Sequence, residues 1–151
     1  MLGRTKTTKG FASRLFASSL MLALVFGLCG CGSLRQDQAE QKVVHVAVDG
    51  NDESGNGTID APYATVSAAA DTAPASIIVM HEGEYGPIEL GPDCSGNDQF
   101  QTIIRPAEDE KVLVHAGDGM GISLLNASNI TVEGLEIEGG THGIYYESAL
   151  Y

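Results

Sequence analysis

The sequence predicts an all-β solenoid of stacked parallel strands, on three observations. From Ser76 onward, short apolar segments alternate with runs of Gly, Asn and Asp. A nine-residue stretch recurs at an offset of 22 residues. No hairpin dipeptide joins two segments at the two-residue spacing that antiparallel pairs prefer.

The predicted strands are 77–80, 88–90, 103–105, 112–114, 122–124, 130–132, 135–137 and 144–146. In the repeat, residues 120–128 (MGISLLNAS) align with 142–150 (HGIYYESAL). Gly121, Ile122 and Ala127 recur as Gly143, Ile144 and Ala149. Going backwards, strand starts at 122, 103 and 77 suggest coil steps of 19 and 26, the longer step holding the loop 91–99. Apolar residues at i and i+2 would then point inward and stack, with Asn126 and Ser148 at a bend. A β-sandwich with irregular strands is the alternative; a repeat that keeps its register favours the solenoid.

Ahead of this region the chain begins with basic residues and an apolar run, 15–28 (LFASSLMLALVFGL). Spanning a membrane takes about 20 apolar residues, so this run fits an export signal better than a membrane helix. Leu28-Cys29-Gly30-Cys31 closes the run and resembles a bacterial lipobox. That resemblance implies cleavage before Cys31, a lipid on its sulfur and an exported, membrane-anchored envelope protein; an ordinary signal containing cysteine is the other reading. Residues 1–30 are thus read as a signal peptide, 31–42 as a polar flexible tether and 43–151 as the folded part. After cleavage Cys94 is the one remaining thiol besides Cys31, and no partner motif surrounds it, so it reads as structural or incidental.

All 20 acidic residues follow Cys31, against four basic ones, so residues 32–151 carry a net charge of −16. Such a surface disfavours DNA, RNA and anionic lipid. It suits solubility, or divalent cations.

In the folded part, VVHVAVD from Val43 alternates and is β-branched, which predicts a strand. Residues 49–60 (DGNDESGNGTID) have turn chemistry. Within them Asp49, Asn51 and Asp52, with Asn56, are candidate calcium ligands, because oxygen groups at short spacing suit that ion. The same residues also suit a loop of Asx turns. A short helix is predicted over 62–73: Asp60 can cap it, Pro62 suits its first turn, and Tyr63, Val66, Ala70 and Ala73 share one face. His81, His115 and His142 could line one face of stacked coils, although they lack zinc spacing. Glu133, Glu136 and Glu138 alternate with apolar residues and read as the solvated face of strands.

The block from Val46 to Tyr85 resembles the opening of right-handed parallel β-helix proteins of the pectate-lyase superfamily. Their phrase GT-x-x-AP-[FY]-x-T stands here as Gly57-Thr58-Ile59-Asp60-Ala61-Pro62-Tyr63-Ala64-Thr65, and their G-x-Y as Gly83-Glu84-Tyr85. Later, NITVEGLEI (129–137) is similar to their coil phrase. The resemblance covers Val46 to the end. It implies a right-handed parallel β-helix with a short N-terminal capping helix over the first coil, and about three coils after the cap. The chain stops one strand into a coil with no closing cap, so a C-terminally truncated β-helix is expected.

The resemblance also implies a carbohydrate-active class, polysaccharide lyase or glycoside hydrolase, with polysaccharide as partner. A non-enzymatic surface β-helix that binds glycans or proteins is the alternative. In the lyases a Lys or Arg abstracts a proton beside carboxylate-held calcium; in the hydrolases two carboxylates flank the bond. In the coil region the basic residues are Arg105 and Lys111, neither in an Asp-rich motif. No catalytic residue is therefore carried over, and the catalytic coils are expected to be absent from this chain.

Overall fold

The computed structural model describes residues 40–148. They form ten strands and one α-helix: β1 (Val43–Val46), α1 (Val66–Thr72), β2 (Ile77–Met80), β3 (Gly83–Tyr85), β4 (Ile88–Leu90), β5 (Thr102–Pro106), β6 (Val112–His115), β7 (Met120–Leu125), β8 (Ile130–Val132), β9 (Glu136–Glu138) and β10 (His142–Glu147). A single 3-10 turn, Pro92–Cys94, lies between β4 and β5.

The strands make three sheets, β1-β2-β5-β8, β3-β6-β9 and β4-β7-β10. Every strand pair in them is parallel. From β2 onward each strand pairs with the third strand after it, so the chain visits three sheets in turn and returns to the first. The fold is mostly β, and its pairing is consistent with a β-helix or solenoid.

The 22-residue repeat is a pairing register: His142 stands opposite Met120, Ile144 opposite Ile122 and Tyr146 opposite Leu124. The step of 26 is also a register, Ile77 opposite Ile103. The step of 19 is not. Residues 103 and 122 lie in different sheets, and the earlier partner of Ile122 is Ile88, in β4. Each coil has three strands joined by turns of unequal length, so distances between strand starts mix two kinds of step. Gly83–Tyr85 forms a strand that the apolar pattern does not mark, and the strand expected at 135–137 is Glu136–Glu138.

The interior is built from inward rows. Val44 and Val46, Ile78 and Met80, and Ile104 stack along the first sheet, each fully buried. Ile88, Leu90 and Ile122 do the same in the third sheet, and Tyr85, Val112 and Val114 in the second. Burying one such side chain contributes roughly 1.5–3 kcal/mol before chain entropy is set against it. Within the strands one fully buried side chain is polar, that of Thr102. The Thr102 hydroxyl donates to the Cys94 carbonyl at 2.8 Å and accepts the Ala75 N–H at 2.9 Å, so its burial costs little. In β10, by contrast, Ile144 and Tyr146 are 52% and 59% exposed.

The outer edge of β1 is covered by the loop that follows it. His45 donates its N–H to the Gly57 carbonyl, Tyr63 donates to the His45 carbonyl, and Ala47 donates to the Tyr63 carbonyl, all at 2.9–3.0 Å. Gly57 is needed here. Its φ is +77°, and a Cβ would lie 2.6 Å from Val44 Cγ1.

Because the Tyr63 backbone is committed to β1, Tyr63 is not helical, and α1 starts at Val66 instead of residue 62. Its N-cap is Thr65, not Asp60: Thr65 Oγ1 accepts the Ala68 N–H at 3.2 Å. The helix buries Val66, Ala69 and Ala70 against β1, β2, β4 and the 3-10 turn. Its small side chains allow close approach.

Contacts begin just before β1. Gln41 Nε2 donates to the Ala75 carbonyl, and the Lys42 carbonyl accepts the Ile77 N–H at 2.8 Å. Residues 1–39, where the signal peptide, Cys31 and most of the tether are expected, lie outside the described residues.

Candidate functional site

Strand alternation sends Val44 and Val46 inward and His45 outward. His81 follows β2 directly, and its N–H is held by the Val46 carbonyl at 2.8 Å. The two imidazoles therefore meet on the outer face of the first sheet. They stack with centroids 5.2 Å apart and planes inclined at 17°. His45 Nδ1 lies 3.0 Å from His81 Nε2. His81 Nδ1 lies 3.1 Å from Glu110 Oε2, on the turn between β5 and β6. Glu110 Oε2 also accepts the Glu82 N–H at 2.7 Å. The Tyr85 hydroxyl donates to the His81 carbonyl at 2.7 Å, fixing the backbone of that ring.

This bonding assigns the protons. An ionised carboxylate only accepts, so His81 carries a proton on Nδ1. In the neutral ring its Nε2 is then an acceptor, so His45 carries a proton on Nδ1 and keeps a lone pair on Nε2. Burial, followed by the charge of His81, holds His45 below the ordinary imidazole value. Burial, then Glu110 and Asp49, push the Tyr85 phenol up to about 12, so it stays a hydroxyl. The set Glu110–His81–His45 can thus hold and relay a proton while tying three separate chain segments together.

The histidines expected on one face are on three. His81 belongs with the first sheet, His115 lies in β6 and His142 in β10. His115 Nε2 is 3.1 Å from Glu84 Oε2, and His142 packs edge-on against Tyr145 at 5.8 Å. The coils differ in turn length, so equal spacing along the chain does not become alignment in space. Sequence reading missed His45 and Glu110. They lie 36 and 29 residues from His81, and no local pattern links them.

In the loop 49–60 the oxygens serve the backbone. Asn51 Oδ1 accepts the N–H groups of Glu53 and Ser54. Asp52 Oδ1 accepts those of Ala64 and Thr65, and its Oδ2 accepts the Thr65 hydroxyl. Asn56 Oδ1 accepts both the N–H and the hydroxyl of Thr58. Asp49 faces Tyr85 closely enough to raise its pKa. Among the described residues no group of three or more His, Cys, Asp or Glu is placed to hold a metal ion.

Cys94 is buried and unpaired, and its thiol donates to Asp71 Oδ1 at 3.0 Å. Glu133, Glu136 and Glu138 are exposed, as are Arg105 and Lys111. Among the described residues no helix is long and apolar enough to cross a membrane.

No protein-family model and no curated protein matches the chain. Two solved structures are similar to part of it. One is a complex of XylC with xylose, at 36% identity and a TM-score of 0.43, covering 49% of this chain and 12% of that one. The other is a glycoside hydrolase, at 30% identity and a TM-score of 0.42, covering 47% of this chain and 14% of that one. The chain spans 12% and 14% of the length of those two proteins.

Proposed function

We propose that residues 43–148 are the N-terminal coils of a right-handed parallel β-helix, carried on an exported, lipid-anchored envelope protein that works on polysaccharide. The observation that carries this reading is the position of the Gly57–Thr65 phrase. The residues that resemble the opening of β-helix proteins are those that close the outer edge of β1 in a stack of parallel three-strand coils. Right-handedness follows from the strong bias of parallel crossover connections to that hand.

Within this reading the described coils serve as scaffold and glycan-facing surface. The exposed carboxylates favour neutral glycans over acidic ones by simple repulsion. Cys31 is the proposed lipid acceptor: labelled palmitate should enter the parent and not Cys31→Ser, and equal labelling of both would remove the anchor.

Affinity electrophoresis of the full chain in detergent tests the glycan reading. Gels containing neutral polysaccharides should retard the protein, and gels containing polygalacturonate should not. Unchanged mobility in every neutral gel would remove the polysaccharide assignment.

A further inference from the structure

We propose that His45, His81 and Glu110 form an acid-operated latch that holds β1 and its covering loop on the first coil, closed at neutral pH and opened when both imidazoles are protonated.

The geometry sets how many protons the latch accepts. The 3.0 Å contact between His45 Nδ1 and His81 Nε2 needs one N–H and one lone pair. One added proton is tolerated. His81 then donates through Nδ1 to Glu110 and through Nε2 to His45, whose own proton moves to Nε2. A second proton is not tolerated. Both facing nitrogens become N–H groups, the bond is lost, and two cations are stacked with centroids 5.2 Å apart.

The position of the latch makes this separation consequential. The backbone of His45 itself supplies two of the bonds between β1 and its cover, to Gly57 and from Tyr63. Glu110 also holds the Glu82 N–H, so the same cluster ties the β2–β3 and β5–β6 turns. Other ionisable groups lie on the elements around it. From β3 comes Tyr85, bonded to the His81 carbonyl. From the segment after β1 comes Asp49, and from β5 comes Arg105, in register with Val79. Glu82, Glu108 and Asp109 lie on the two turns, and Glu133 follows β8.

The sign follows from His45. Burial and the His81 charge lower it from 6.5, so on acidification the unfolded or opened chain takes up that proton first. The latch contributes its full stability above about pH 6.5 and loses it as pH falls below that value.

Amide hydrogen exchange in the full chain reads this directly. Between about pH 7 and about pH 5, the opening equilibrium at the His45 and Ala47 amides should rise, the direction that a lowered His45 pKa requires. Amides of β6 should not follow. His45→Asn keeps an N–H group near the position of Nδ1 but cannot titrate; it should lose the acid response, whereas His142→Gln should keep it. An unresponsive parent, or an equal response in His45→Asn, overturns the proposal. If His45→Asn does not fold, nitrogen NMR of the parent imidazoles decides the matter: both rings fully protonated while the His45 and Ala47 amides stay protected would also overturn it.

Discussion

The thiol of Cys94 donates to Asp71 Oδ1 at 3.0 Å, tying the turn after the first coil to the last turn of α1. Burial, and then this bond, push the thiol up to about 12. Almost no thiolate exists at neutral pH, and the thiolate is the reactive form. Cys94 should therefore resist iodoacetamide in the native protein and react promptly after denaturation, as peptide mapping would show. Rapid native labelling would mean that the α1 contact opens readily.

The face of α1 gives a second prediction. Val66 is 3% exposed and packs into the main core. Val66→Asp would bury a carboxylate without a partner, at a cost of about 3 kcal/mol or more. Against a typical domain stability of about 5–15 kcal/mol, that is enough to make much of the protein insoluble. A variant with the parent's melting temperature would show that α1 lies free.

Asp52 gives a third. It accepts bonds from Ala64 and Thr65, just ahead of α1. Asp52→Ala should cost about 1 kcal/mol, the scale of a lost helix cap, lowering the melting temperature by a few degrees. The drop should be the same in calcium and in chelator. A drop seen only with calcium present would make the loop 49–60 an ion site instead.

A fourth prediction concerns chemistry. The full chain should release no unsaturated uronate from polygalacturonate, with or without calcium. The surface is acidic, and Lys42, Arg105 and Lys111 are the cationic Lys and Arg side chains among the described residues. Calcium-dependent product, followed by ultraviolet absorbance, would refute this.

How far the sequence reached depended on turn length. Met120 and His142 are separated by turns without insertions, so their pairing is visible as a 22-residue repeat. Ile88 and Ile122 pair across 34 residues that include the loop 91–99, and no repeat connects them by eye. The helix was legible from its apolar face, but its start was not. Tyr63 fits the helical stripe yet is held extended by His45 and Ala47, and tertiary pairing overrides periodicity there. The relation of His45 to Glu110 was invisible for the same reason, since it exists only after β1, β2 and the β5–β6 turn are stacked.

The cover on β1 also gives the stack a polarity. With the outer N–H of His45 bonded to Gly57 and its carbonyl bonded to Tyr63, the first strand templates pairing on one side alone. Strand addition at the β1 side is blocked, so the stack can be extended by further strands only from its other end. The stack thus has one closed end and one growing end.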